Sequence, residues 1–496
     1  MCRAAVGRDG DHDRVVLGRN GDERRHVEVV PRAGRDRGAH NLAGRDRRRR
    51  PPERAVRVGG DAPAGERKVA VARHHHLAQR ERRLAPEVVR ARNLYHGEGE
   101  TNTTHYGQPL GDNRLPMMWS QLVRDAQLVE RRAEIAAWNA SHAHQKRGLA
   151  MTPVKFGISF TASFLNQAGA LVLIYRDGSV QVNHGGTEMG QGLYTKMRGI
   201  AMRELGVPAG IVRVMKTQTD KVPNTSATAA SSGADLNGAA VKNACVTLRE
   251  RLAPVAADLI GAEASVIIPE EAVLFADGFA TAPQAPGVAI PFARIIDRAY
   301  MKQISLSAAG YYRTPGIGYD KAKGRGKPFF YFAYGAAVTE VEVDGYTGMK
   351  RVRAVDILHD VGESLNPGID RGQIEGAFVQ GMGWLTSEEL KWNADGRLLT
   401  HSASTYQIPA IGDAPERFVI ELLKNAAQPG VVHGSKAVGE PPLMLALSVR
   451  EAIRDAVASF GIAGGEVALG CPATHEAIRA AVKVRLERVA LDRAAE

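Results

Sequence analysis

The stretch ALVLIYRDGSVQVNHGGTEMGQGLYTKMRGIAMRELG, residues 170–206, predicts two strands, a glycine-rich bend and a helix in direct succession. Asp177-Gly178 separates two apolar runs and is typical of a hairpin turn. From Leu193 the apolar residues recur at helical spacing, and Gly206 is a typical helix end. A hairpin that leads directly into a helix indicates the mixed α+β class rather than an alternating parallel array.

The rest of the chain after about residue 86 shows the same mixture of helix and strand patterns, with no internal repeat of fixed period. We therefore expect an α+β domain of hairpin-rich sheets and packed helices over residues 86–485, followed by a short tail, 486–496. The further predicted elements are helices in 86–95 and 117–142, a strand at 211–217, a helix from about Leu236 to Leu252, a hairpin over 336–358, a helix containing IEGAFVQGMGW, and a last helix starting at Pro441.

Residues 1–85 differ in composition from the rest of the chain. Residues 1–90 hold 23 Lys and Arg against 13 Asp and Glu, which is nearly all of the net charge of +11, and they contain no Phe, Trp, Tyr or Ile. Such a segment buries too little apolar surface to offset ordering, so we expect it to be disordered or poorly packed. Three interpretations are open: an Arg-rich tail, a nucleic-acid-binding arm, or coding sequence translated in the wrong frame. The missing aromatic residues weigh against the arm, because none can stack on bases.

The three cysteines, Cys2, Cys245 and Cys471, are far apart. Their number and spacing argue against a disulfide framework, a zinc site or an iron–sulfur cluster, and favour a reducing, cytoplasmic setting. No run reaches the ~18 apolar residues of a membrane span, so we expect no membrane partner.

The bend HGGTEMGQG, residues 184–192, packs four glycines between a predicted strand and a helix start. Backbone N–H groups at a helix N-terminus suit an anionic or hydrogen-bonding group, so the bend is a candidate docking place for a ligand. The glycine order matches no nucleotide fingerprint. A tight structural turn is the alternative.

Further stretches suggest chemistry, each with a structural alternative. Six consecutive small residues, Ala229 to Ala234, either let a flat ligand approach the backbone or form the capped start of a helix, and Thr228, Ser231 and Ser232 add hydroxyl donors. Glu440 precedes two prolines at a predicted helix start. It is either a general base or an acid that is only stabilised by the helix dipole. Gln380 lies among glycines in a predicted helix. Its side chain either packs closely against a neighbour or donates its amide N–H to a ligand. Phe160 looks like a core aromatic.

Five motifs in one order resemble the xanthine oxidase/aldehyde oxidase family, and within it the molybdenum-binding subunits of xanthine dehydrogenases. They cover about Glu87 to Ala480 and read KFGISFT…LNQAGAL, NHGGTEMGQGLYTK, VPNTSATAASSGADLNGAAV, DVGESLNPGIDRGQIEGAFVQGMG and STYQIPAIGD…SKAVGEPPL. The resemblance implies a molybdopterin cofactor whose dithiolene holds molybdenum near Gln191 and Glu440, with no protein ligand to the metal.

The resemblance also implies roles for individual residues. The residue corresponding to Glu440 is the catalytic general base, and Phe160 and Thr161 contact a flat purine substrate. The implied cofactor-binding residues are Met189, Gly190, Gln191, Thr228, Ala229, Ala230, Ser231, Ser232, Gly233 and Gln380. The implied reaction is hydroxylation of hypoxanthine and xanthine to urate.

The resemblance implies partners as well. Members of the family pass electrons through 2Fe-2S clusters and FAD to NAD, and three scattered cysteines cannot hold those clusters. We therefore expect an iron–sulfur/FAD subunit as partner. The family's upstream half, with its AFRGF segment, has no counterpart in residues 1–85, so we expect a truncated or frame-disrupted product with an incomplete substrate pocket. An aldehyde oxidase-type hydroxylase and a catalytically inactive remnant are the alternatives.

Overall fold

The computed structural model describes residues 84–220, 224–461 and 466–495, which belong to one compact unit. The predictions for residues 1–85 fall, apart from the last two, outside this range. The described helices are α1 (Pro86–Arg92), α2 (Leu115–Asp125), α3 (Leu128–Ser141), α4 (Leu193–Leu205), α5 (Gly233–Ala264), α6 (Phe292–Met301), α7 (Pro367–Thr386), α8 (Leu447–Ala458) and α9 (His475–Ala495).

The strands form four sheets within the described residues. They are β1 (Gln145–Ile158), β2 (Gln167–Ile174), β3 (Val180–His184), β4 (Val212–Val214), β5 (Leu274–Ala276), β6 (Phe279–Thr281), β7 (Ile290–Pro291), β8 (Ser307–Arg313), β9 (Gly318–Asp320), β10 (Arg325–Lys327), β11 (Tyr331–Asp344), β12 (Lys350–His359) and β13 (Arg417–Leu422). The strand orders are β1-β11-β12-β13, β4-β3-β2-β8, β5-β6-β7 and β10-β9. The expected α+β class is confirmed.

The hairpin predicted at 170–184 is confirmed as the antiparallel pair β2 and β3. The Asp177 carboxylate accepts the backbone N–H of Ser179 at 2.9 Å, and Gly178 takes a positive φ of 86°. Helix α4 follows and ends at Gly206 with φ 64°, as its sequence predicts.

Two helix predictions are wrong in extent. The single helix expected over 117–142 is interrupted at Gln127, whose φ of 50° separates α2 from α3. The helix expected over 236–252 is 32 residues long and continues through Pro254. An interior proline costs about 3 kcal/mol, but the buried face continues beyond it through Val255 and Ile260, and that packing maintains the helix.

The large sheet separates two hydrophobic cores. Strands β1 and β11 pair along their whole length, from Gln145 opposite Asp344 to Ile158 opposite Tyr331. Alternate β1 residues face opposite sides, as the strand period of two requires. Those on one side join a core with α7 and α8, and those on the other join a core with α2 and α3.

A third core lies between the smaller sheet, β4-β3-β2-β8, and helices α4, α5 and α6. Helix α5 crosses β8 so closely that a Cβ on Gly310 would overlap the backbone oxygen of Ala240. This close contact fixes the position of α5 on the smaller sheet. Among the described helices, none is both long and apolar enough to cross a membrane.

Candidate cofactor cavity

Four segments meet around a cavity of about 230 Å³. They are the end of the bend 184–192 with the start of α4, the loop leading into α5, the start of α7, and residues 435–440, which we call the 435–440 segment. Seven of the predicted site residues line the cavity: Met189, Gln191, Thr228, Ala229, Ser231, Gly233 and Glu440.

Glu188 caps α4 in place of an external anion. Its Oε1 accepts the backbone N–H groups of Gly190 and Gly192, at 2.9 and 3.0 Å, and its Oε2 accepts that of Tyr194 at 2.9 Å. Partial burial opposes ionisation, but these backbone donors outweigh it and lower the pKa of Glu188. The expectation that this helix N-terminus is open to an anionic ligand is therefore wrong, because the protein's own carboxylate occupies it.

The glycines of the bend serve packing and backbone conformation. A Cβ on Gly186 would crowd Leu193 and Asn237, and one on Gly192, with φ 75°, would crowd Ile369. Gly190 has open space around it but a φ of 103°, which side chains rarely adopt. The bend thus brings Gln191 to the cavity at a point where α4, α5 and α7 lie close together.

The side chain of Gln191 closes the bend from within. Its Oε1 accepts the N–H of Met189 at 2.6 Å, and its Nε2 donates to the backbone oxygen of Thr187 at 2.8 Å. An amide carries two N–H groups. Gln191 therefore keeps one donor for a ligand while the bend remains fixed.

The start of α5 offers the helix N-terminus that the bend does not. Its N-cap residue, Ser232, makes no side-chain cap, and the next two residues, Gly233 and Ala234, line the cavity. Ala230 and Ser231 both take φ 54°, which turns the backbone towards the 435–440 segment. The first N–H groups of a long helix next to a cavity are suited to a phosphate or another anion.

Two buried lysines line the cavity, and sequence reasoning missed both. Lys196 lies 2.6 Å from Asp370, and Lys436 lies 2.6 Å from Asp360. Burial lowers the pKa of Lys436, against the opposing charge of Asp360. The signal available was the position of Lys436 inside the SKAVGEPP motif, four residues before Glu440.

Glu440 is exposed at the cavity wall. It precedes a 3-10 helix, Pro441–Ala446, and its side chain does not cap it. Its backbone N–H donates to Ser231 Oγ at 2.8 Å, and this hydrogen bond holds the backbone of Glu440 against the loop before α5. A carboxylate held at its backbone and free of a capping role is suited to accept a proton from a bound group.

Gln380 is not among the residues that line the cavity, and its contact with a cofactor stays a prediction. It is exposed on α7, whereas Gln373 and Asp370, nearer the start of that helix, do line it. Gln373 and Gln380 are seven residues apart, nearly two turns, so they share a helix face about 10 Å apart. The residue of this face that lines the cavity is therefore Gln373, which the sequence analysis did not single out.

The remaining predicted residues lie beside the cavity. Gly190, Ala230 and Ser232 are in the same two loops but do not line it. Phe160 and Thr161 follow β1 and also do not line it. The backbone of Phe160 is held by the side chain of Asn166, through two hydrogen bonds of 2.8 Å, and Thr161 is exposed.

Comparison with known proteins identifies the kind of domain. Residues 121–415 match the family described as the molybdopterin cofactor-binding domain. The chain is 45% identical over 400 residues to xanthine dehydrogenase/oxidase of Gallus gallus, covering 80% of this chain and 27% of that protein. It is 42% identical over 416 residues to xanthine dehydrogenase of Oryza sativa subsp. japonica, covering 82% and 28%. The chain thus spans little more than a quarter of these relatives.

Solved structures share the fold. Quinoline 2-oxidoreductase from Pseudomonas putida 86 is 25% identical with a TM-score of 0.71, covering 84% of this chain and 52% of that one. CO dehydrogenase from Oligotropha carboxidovorans has a TM-score of 0.73 at 19% identity, covering 86% and 52%.

Proposed function

The chain belongs to the molybdopterin cofactor-binding domain family, and on that basis we propose that it forms the catalytic part of a molybdenum hydroxylase that oxidises hypoxanthine and xanthine to urate. The observation that supports this most directly is the convergence of Gln191, Ser231 and Glu440 on one cavity from segments up to 249 positions apart in the sequence. The choice of a purine rests on the identity to xanthine dehydrogenases over some 400 residues.

The residues around the cavity fit a flat anionic cofactor. Thr228, Ala229, Ser231 and Gly233 form a wall of short side chains that a planar ring can approach closely. The uncapped first turn of α5 supplies N–H groups for a phosphate. Gln191 and Gln373 add amide groups suited to hydrogen-bond a pterin ring.

The protein's own contribution to the chemistry is position and proton transfer. When bound, the molybdenum cofactor supplies the redox capacity, taking up two electrons from the carbon that is hydroxylated. Glu440 accepts the proton of the attacking group as general base. The Ser231 hydroxyl accepts the backbone N–H of that glutamate. This hydrogen bond reduces the conformational freedom that the carboxylate would otherwise lose on reaching the ligand.

Electrons then leave through groups that this chain cannot hold. A 2Fe-2S cluster of the ferredoxin type takes four cysteine ligands, and the chain has three cysteines in all, far apart in the sequence. Cys245 is fully buried in α5. We therefore place the 2Fe-2S and FAD groups on another subunit or domain.

The test is urate formation by the chain co-expressed with its iron–sulfur/FAD partner, and turnover there would also overturn the expectation of a truncated product with an incomplete substrate pocket. Glu440→Gln should keep the molybdenum content and lower kcat by about 10²–10⁴-fold, the usual contribution of a general base. Glu250→Gln removes an exposed carboxylate of α5 away from the cavity and should leave both unchanged. A wild-type complex that carries molybdenum but oxidises aldehydes and not xanthine would contradict the proposed purine substrate. A wild-type complex that carries no molybdenum would contradict the proposed hydroxylase function.

A further inference from the structure

The start of α5 and the 435–440 segment are joined at two points. At one point, the Glu440 N–H donates to Ser231 Oγ at 2.8 Å. At the other, the Tyr331 hydroxyl donates to Asp235 Oδ2 at 2.6 Å and accepts the Ala437 N–H at 2.7 Å. The second connection therefore runs through a phenol on the large sheet.

The spacing of these contacts makes them a clamp. Ser231 and Asp235 are four residues apart at the start of one helix, and Ala437 and Glu440 are three residues apart on the facing segment. Because residues 437 and 440 are both held to the start of α5, one through Tyr331, this part of the segment cannot shift or rotate without breaking a hydrogen bond. Tyr331 is the first residue of β11 and is 5% exposed, so the sheet braces the clamp.

Retaining this pair has an energetic cost, which indicates a role beyond packing. Asp235 Oδ1 is buried without a hydrogen-bond partner, beside a cavity of about 10 Å³, roughly the space of one water molecule. A well-packed apolar pair would avoid that cost. An apolar pair, however, would leave the Ala437 N–H without the hydroxyl oxygen that accepts it here.

The ionisation of the pair keeps the hydrogen bonds in this direction. Burial and the neighbouring Asp235 raise the pKa of Tyr331 well above its ordinary value, so the phenol holds its proton at neutral pH. Burial also raises the pKa of Asp235 to about 7, although the Tyr331 hydrogen bond opposes this. In either protonation state, Oδ2 can accept the phenol hydrogen.

We propose that Asp235 and Tyr331 are positioning residues that hold the 435–440 segment, and through it Glu440, against the start of α5. The positioning of a general base is an inference that rests on the proposed function. The clamp itself does not, because it concerns the backbone of this chain. Neither side chain needs to touch the substrate.

The experiment compares variants of the full chain in its complex. Tyr331→Phe removes the acceptor of the Ala437 N–H. Asp235→Ala removes the acceptor of the phenol, and Asp235→Asn restores it through the amide oxygen. Tyr334→Phe, which deletes a hydroxyl from another buried tyrosine of β11, is the matched control.

The first readout is hydrogen exchange by mass spectrometry in peptides covering 436–440. Exchange in this segment should rise about tenfold in Tyr331→Phe, the loss expected for one hydrogen bond, while the rest of β11 stays protected. Tyr334→Phe should leave it unchanged. Unaltered exchange in a folded Tyr331→Phe protein, or equal loosening by Tyr334→Phe, would overturn the clamp.

The second readout is urate formation per bound molybdenum. Tyr331→Phe and Asp235→Ala should lower kcat by about 10- to 100-fold with KM within twofold, and Asp235→Asn should recover most of that loss. A KM effect with unchanged kcat, or no recovery in Asp235→Asn, would contradict positioning. If the wild-type complex makes no urate, the proposed function fails, while the exchange result still decides the clamp.

Discussion

Single residues around the cavity separate what sequence pattern can decide from what only the fold decides. Helix geometry places Gln373 and Gln380 on one face of α7, because seven residues return to nearly the same angle. It does not determine which end of that face meets a cavity. Gln373 lines the cavity because α7 begins next to the bend and α5, a consequence of long-range packing.

Gln373→Ala should therefore reduce the molybdopterin content of the purified complex severalfold, because it removes an amide from the cavity wall. Gln380→Ala makes the same chemical change on the same helix face, about 10 Å away, and should retain the wild-type content. Metal analysis of the two proteins, with thermal unfolding to confirm equal folding, measures the difference. The opposite ranking would show that Gln380 reaches the cofactor and that the cavity is misassigned.

At the scale of elements, local signals predicted most of the fold correctly. The turn at Asp177-Gly178, the end of α4 at Gly206 and the second hairpin were all readable, because turn and cap chemistry acts over a few residues. The length of α5 was not, because its continuation beyond Pro254 depends on a distant buried face. The occupant of the α4 N-terminus was also missed, although Glu188 stands within the quoted bend.

Glu188→Gln should destabilise the protein by about 1 kcal/mol, the usual value of a helix cap. Because the pKa of Glu188 is lowered from its ordinary 4.5, its stabilisation is present above pH 4.5 and is lost as the pH falls through the lower, folded-state value. The variant and the wild type should therefore differ in free energy of unfolding at pH 7 and converge as the pH falls through the lowered pKa of Glu188.

Glu134→Gln, which alters an exposed glutamate in the middle of α3, is the control for denaturant unfolding of the capping variant. It should leave stability within about 0.5 kcal/mol at both pH values. A Glu188→Gln protein as stable as this control at pH 7 would show that the carboxylate does not hold the helix start.

At the scale of the whole molecule, the cavity lies where two cores meet. Leu193 belongs to the core beneath the smaller sheet, and Val438 belongs to one core of the large sheet, yet both line the cavity. Such a place gathers loops from many parts of the chain onto rigid supports, which suits a site that must hold a ligand and a base in fixed relation.

The most direct measurement is the position of molybdenum in crystals of the active complex, located by anomalous diffraction on both sides of the molybdenum absorption edge. We predict one peak for each copy of this chain, inside the cavity between Gln191 and Glu440. A peak outside that cavity, or active crystals without a peak there, would contradict the account.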